Sequence, residues 1–178
     1  DRVAGKVAEG GALWLMLPGA AADGDETPEL RLAAGLRRRL PSFTLRDLSP
    51  LVAKMRLCKS DGELSLMRKA VAATARGMEA AARTAQPGVT EGAVEGAAFA
   101  AVRAAGAEGW SFPPIVGSGR AGCVLHYDAN RGTLGDGELL VVDIGARWGY
   151  YCGDLTRTFP VNGRFSGRQR ELYDAVLG

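Results

Sequence analysis

The sequence predicts an α+β fold, with helices covering one face of a mainly antiparallel sheet and part of an α/β domain in front. Three observations point there. Apolar residues recur at helical spacing through 60–85 and again through 90–106. Beyond Gly106 the period changes to short apolar runs parted by glycine turns, the pattern of strands joined by hairpins. Ahead of both stands a strand, helix and strand pattern with too few elements to close a sheet of its own.

Taken in order, Leu13 to Leu17 reads as a strand and Gly19 to Asp25 as a flexible connection. A helix is expected from Pro28, whose missing N–H costs nothing in a first turn, to Leu40, where Pro41 stops it. Phe43 to Leu45 adds a short strand. Residues 1–57 thus read as the C-terminal part of an α/β domain, and a boundary near Cys58 leaves 58–178 as a second unit. Ser60-Asp61-Gly62-Glu63 fits the capping box, and Leu64, Met67, Val71, Ala75, Met78 and Ala82 mark one face of a long helix. Pro87-Gly88 breaks that helix and Thr90 offers the next N-cap. Val94, Ala98, Val102 and Ala105 then share a second face, so the two helices form a hairpin. Strands are expected at Ile115-Val116, Val124-Leu125, 139–144 and 150–159, with turns at Gly117-Ser118-Gly119 and Gly135-Asp136-Gly137. A second capping box, Ser166-Gly167-Arg168-Gln169, opens a last helix through Leu172, Tyr173 and Val176.

Composition narrows the function classes. Of 178 residues, 47% are hydrophobic and 24% charged, the balance of an ordinary soluble globular protein. No apolar run reaches the roughly 20 residues that cross a bilayer, so no membrane partner is expected. A net charge of +2, from 22 basic and 20 acidic residues, gives no field for nucleic acid. The one basic run, Arg37-Arg38-Arg39, suits the negative end of the predicted helix. Cys58, Cys123 and Cys152 are scattered without a C-x-x-C pair, which fits a reducing, cytoplasmic compartment. Two readings of them are open: small buried thiols, or a zinc site from Cys123, His126 and Cys152 that lacks a fourth ligand.

The chemistry concentrates in two acids. Asp143 ends the apolar run Leu139 to Val142, and Asp154 follows with Trp148-Gly149 midway between them. An even-length hairpin turn centred on Trp148-Gly149 pairs Arg147 with Tyr150, Gly145 with Cys152 and Asp143 with Asp154. Directly opposed side chains have Cβ atoms about 4.5–5.5 Å apart, and two like charges there oppose sheet formation unless something offsets them. A divalent cation held by hard oxygen donors is one answer; Arg147 or Arg157 balancing the acids is another. His126, the one histidine, reads either as a proton shuttle or as a structural histidine bonded to a carbonyl.

Several strings then resemble a known family in order. They are Ile115-Val116-Gly117-Ser118-Gly119, Cys123-Val124-Leu125-His126-Tyr127, Asp136-Gly137, Val142-Asp143-Ile144-Gly145, and the run from Gly153-Asp154-Leu155-Thr156-Arg157 through Asn162-Gly163-Arg164-Phe165. From roughly Arg56 onward the sequence resembles the first half of the catalytic domain of the aminopeptidase P family of pita-bread metallopeptidases.

The resemblance implies a pita-bread fold and a pair of divalent metal ions, usually manganese, with Asp143 on one ion and Asp154 bridging both. It implies a peptide substrate with proline in second position, cut by a metal-activated water. It places His126 as the catalytic histidine near the scissile bond, Thr156 as a hydrogen-bond donor that orients Asp154, and Phe112 and Trp110 as pocket aromatics. It also implies a homo-oligomer in the intact parent. The family completes its site with a histidine and two glutamates from the second half of the domain, and none of that half lies within these residues. The fold is therefore expected to be incomplete, the chain inactive by itself, and an apolar sheet face uncovered. Two rival functions share this fold: a pita-bread module that binds peptide or protein without catalysis, and a creatinase-like hydrolase of a small non-peptide molecule.

Overall fold

The computed structural model describes residues 12–17, 27–39 and 44–178. The chain divides into two compact units, Asp1–Lys59 and Ser60–Gly178. In the first unit β1 (Ala12–Leu15) pairs in parallel with β2 (Thr44–Asp47) across α1 (Pro28–Arg39). The expected connection Gly19 to Asp25 and residues Leu40, Pro41 and Phe43 lie outside the described residues. A helix absent from the sequence reading, α2 (Ser49–Leu57), follows β2 with Pro50 in its first turn. It has no buried residue and a weak apolar face, so periodicity gave no sign of it.

The second unit starts with α3 (Asp61–Thr84), and its capping box forms as expected. The Ser60 N–H donates to Glu63 Oε2 at 2.7 Å, and Ser60 Oγ accepts from the Glu63 N–H. Its buried face differs from the expected one: Ala70, Ala73, Thr74, Gly77, Met78 and Ala81 go inside, while Val71 and Ala82 are exposed. Close approach explains the rotation. A Cβ on Gly77 would sit 2.7 Å from Val102 Cγ2, so the smallest side chains, not the most apolar, mark the contact face. Helix α4 (Glu91–Ala104), capped by Thr90, packs beside α3 through Val94, Ala98 and Val102, whereas Ala105 ends the helix exposed.

Two three-stranded antiparallel sheets follow. One orders β4 (Ile115–Ser118), β5 (Leu139–Ile144) and β8 (Leu155–Pro160) side by side. The other orders β3 (Gly109–Trp110), β6 (Ala146–Trp148) and β7 (Tyr151–Cys152). Strand alternation sorts β5 by face: Leu140, Val142 and Ile144 are fully buried against Met78, Ala81, Val94 and Ala98 of the helices. Leu139, Val141 and Asp143 take the opposite face and are half-buried.

Two strand expectations are corrected. Val124 and Leu125 form no strand; they follow a 3-10 turn at Ala121–Cys123, whose Ala121 O accepts from the Val124 N–H, and are exposed. The expected strand over 150–159 is two strands, β7 and β8, divided at Gly153-Asp154. The last helix, α5 (Gly167–Leu177), carries the Ser166 and Gln169 capping box. Its Leu172, Tyr173 and Val176 line a groove with Leu139 and Thr158, on the sheet face away from α3 and α4.

Candidate metal centre

The two acids sit on either side of a tight hairpin. Trp148 pairs with Tyr151, so the loop is Gly149-Tyr150, and both residues have positive φ, +54° and +68°, the geometry of a two-residue type I′ turn. The turn therefore lies one residue later than the sequence suggests, and every partner moves by two. Asp143 opposes Thr156, not Asp154. A shift of two keeps the face, because side chains alternate with a period of two. Asp143 and Asp154 accordingly still meet, with Asp154 next to Leu155 at the start of β8.

Glycine makes the approach possible at two points. Gly145 follows β5 and Gly153 precedes Asp154, with the Gly153 N–H donating to Ala146 O at 2.8 Å. A Cβ on Gly145 would strike the Gly153 carbonyl, Ser111 Oγ and the Phe112 ring; one on Gly153 would strike Thr74 Oγ1 and the Ala70 carbonyl. The Ser111 N–H donates to Gly145 O at 2.8 Å and Ser111 Oγ to Gly153 O at 3.1 Å, which seats the neighbouring Phe112 against the acids.

A cavity of about 480 Å³ results, with Asp128, Asp143, Asp154 and His126 facing an apolar wall of Phe112, Pro113 and Ile115. His126 lies in the loop beyond the 3-10 turn, exposed, at φ +54°. Thr156 stands across the sheet from Asp143 and hydrogen-bonds it. Trp110 lies elsewhere than expected. It pairs with Ala146 on the helix-facing side, packs on Phe99 with ring centroids 5.4 Å apart, and does not line the cavity. Asp128, which the sequence reading passed over, could have been found from its place two residues after His126.

Burial raises the Asp143 carboxyl above its ordinary value; the Thr156 hydrogen bond opposes this, the charge and hydrogen bond of Asp154 add to it, and His126 opposes it. Asp143 Oδ1 is buried and has no hydrogen-bond partner. A buried, unpartnered carboxylate oxygen beside a second acid is destabilising unless a proton or a cation joins them. Hard oxygen donors in that arrangement suit a divalent metal. Among the described residues no three His, Cys, Asp or Glu converge as a complete set of ligands, so the zinc reading of Cys123, His126 and Cys152 fails. The buried-thiol reading fails too, since all three cysteines are free and exposed.

Residues 65–178 match the model of metallopeptidase family M24. The chain belongs to this family. Among its relatives, Xaa-Pro aminopeptidase of Escherichia coli (strain K12) is 42% identical over 148 residues, which cover 83% of this chain and 34% of that protein. A putative aminopeptidase P from Bacillus anthracis superposes with a TM-score of 0.87 at 32% identity, over 93% of this chain and 40% of its own. Aminopeptidase P from E. coli with the inhibitor Pro-Leu gives a TM-score of 0.79 at 35% identity, over 97% of this chain and 42% of its own. The chain thus spans about a third of the curated relative's length. With these likenesses the pita-bread fold is established, and the family is one of metallopeptidases.

Proposed function

We infer that this chain carries the first two carboxylates of a metal-dependent exopeptidase that removes the N-terminal residue from peptides with proline in second position. The observation that carries the reading is the Asp143 and Asp154 pair with its buried, unpartnered oxygen, in a cavity shared with His126. Asp143 and Asp154 would hold the cation, two manganese ions in the complete site. When bound, a divalent metal polarises a carbonyl and lowers the pKa of a coordinated water.

The remaining roles fall to the chain's own residues. Thr156 fixes the Asp143 carboxylate from across the sheet, so that the carboxylate stays aimed into the cavity. His126 faces the same space and donates a hydrogen bond to the charge that develops on the scissile carbonyl oxygen. Phe112, Pro113 and Ile115 give a dry wall for a prolyl ring. Residues 1–57 are the C-terminal part of a preceding α/β domain and 58–178 the first half of the catalytic domain, in a cytoplasmic, homo-oligomeric parent. Among the described residues no helix is long and apolar enough to cross a membrane.

A second reading, a module that binds peptide without catalysis, is favoured by the shortage of ligands among the described residues. Metal content and Xaa-Pro cleavage, measured for this chain and for a version extended to the length of its relatives, separate the two. The peptidase reading expects both forms to bind manganese and the longer one alone to cleave. An extended form that binds metal and peptide but releases no N-terminal residue overturns it.

A further inference from the structure

The segment from Gly119 to Arg131 carries His126 and Asp128, yet its regular structure is one 3-10 turn. His126 itself holds a positive φ, which is uncommon for a non-glycine residue. The segment is held from α4. Glu91, the first residue of α4, is fully buried and lies outside the cavity. Its carboxylate accepts four hydrogen bonds: Oε1 from the Ser118 N–H at 2.9 Å and Ser118 Oγ at 3.3 Å, Oε2 from the Tyr127 hydroxyl and the Gly132 N–H, both at 2.7 Å. The Glu91 N–H also donates to Gly132 O at 2.9 Å. Ser118 precedes the segment, Gly132 follows it and Tyr127 adjoins His126, so one side chain grips both ends and the middle.

We propose that Glu91 is a positioning residue for the cavity, which through Tyr127 holds His126 beside Asp143 and Asp154. The proposal rests on His126 acting in that cavity. A carboxylate buried this deeply is costly unless fully bonded, and four donors at the positive end of a helix meet that requirement. Glutamine cannot replace it. Each oxygen accepts from a backbone N–H, so an amide NH2 would face a donor in either orientation. Gly132 fits the same grip, since a Cβ there would lie 2.8 Å from Glu91 Oε1.

Tyr127→Phe removes the middle hold and leaves the ends. Asn130 still accepts from the Val116 N–H at 2.9 Å and donates to Glu95 Oε2 at 2.9 Å, so the segment stays attached. NMR reads the outcome directly, because His126 is the chain's one histidine and its imidazole signal stands alone. In the unaltered chain the His126 amide is expected to be as ordered as β5, with an order parameter of about 0.85. In Tyr127→Phe it falls below about 0.6 and the imidazole signal moves toward its unfolded position, while β5 amides keep their values. Glu91→Gln gives the same local loss where it folds. His126 equally ordered in Tyr127→Phe overturns the proposal, as does a loss of order that extends through β5. Peptide turnover plays no part in this readout, so an extended protein that cleaves nothing with His126 firmly held sinks the peptidase reading and leaves the positioning intact.

Discussion

Asp143 and Thr156 occupy directly opposed positions on β5 and β8, so the first acid faces a hydroxyl and the second lies one step further along the same face. That relationship brings two carboxylates to one cavity without forcing them head-on. It also gives Thr156 a measurable role. Groups that hydrogen-bond a metal ligand commonly change affinity by about 10–100-fold when removed. Thr156→Val is expected to weaken Mn2+ binding by about tenfold, measured by calorimetry, and Asp143→Asn to abolish it. Equal affinity in Thr156→Val would remove Thr156 from the site.

The raised Asp143 carboxyl has a definite sign in stability. Because the folded chain holds this proton more tightly than the unfolded one, it binds more protons in the window between the ordinary aspartate value and the raised one. Stability of the metal-free chain therefore falls as pH rises through that window, and the loss is complete above it. Asp143→Asn has no such proton and should lack this part of the decline. Urea midpoints in EDTA across the window test it, and parallel curves for the two proteins would refute the assignment. Manganese added at neutral pH should restore stability to the unaltered chain and not to Asp143→Asn.

Glycines at close approaches and glycines in open space should respond oppositely to alanine. At Gly145 an added Cβ meets the Gly153 carbonyl, Ser111 and Phe112, and overpacking of this kind costs about 1–3 kcal/mol. At Gly96, exposed within α4, an added Cβ meets nothing within 4 Å, and alanine should stabilise by about 0.5–1 kcal/mol through helix propensity. Denaturation midpoints of Gly145→Ala and Gly96→Ala should thus move in opposite directions. A neutral Gly145→Ala would show that the two acid-bearing segments do not depend on this contact.

What the sequence made legible follows from which interactions are local. Both capping boxes, the break at Pro87-Gly88 and the extent of β5 are fixed within a few residues, and each is readable. The same-face placement of Asp143 and Asp154 survived an error in register because parity, unlike pairing, is unchanged by a shift of two. Contacts set from a distance were hidden. Trp110 turned to the helix side because β3 pairs with β6, a partner more than thirty residues away. Glu91 is by position a first-turn acid of α4, and its partners Ser118, Tyr127 and Gly132 lie 27, 36 and 41 residues further along.

The turn between β6 and β7 holds a residue poorly suited to it. Gly149 is the residue that advertises a turn, and in a type I′ loop the second position favours glycine or asparagine as well, since it too needs positive φ. Here that position is Tyr150, at +68° and 96% exposed, so it bears the conformational cost with no packing in return. Asparagine tolerates the same region at lower cost and loses no buried contact. Tyr150→Asn is expected to stabilise the chain by about 0.5–1 kcal/mol, read as a higher urea midpoint with an unchanged slope. The β6 and β7 pairing, and with it the place of Asp154, should be the same in both proteins by amide chemical shift. If Tyr150→Asn is instead destabilised, the tyrosine ring makes a contact that its exposure does not show, and the hairpin is held by more than its turn.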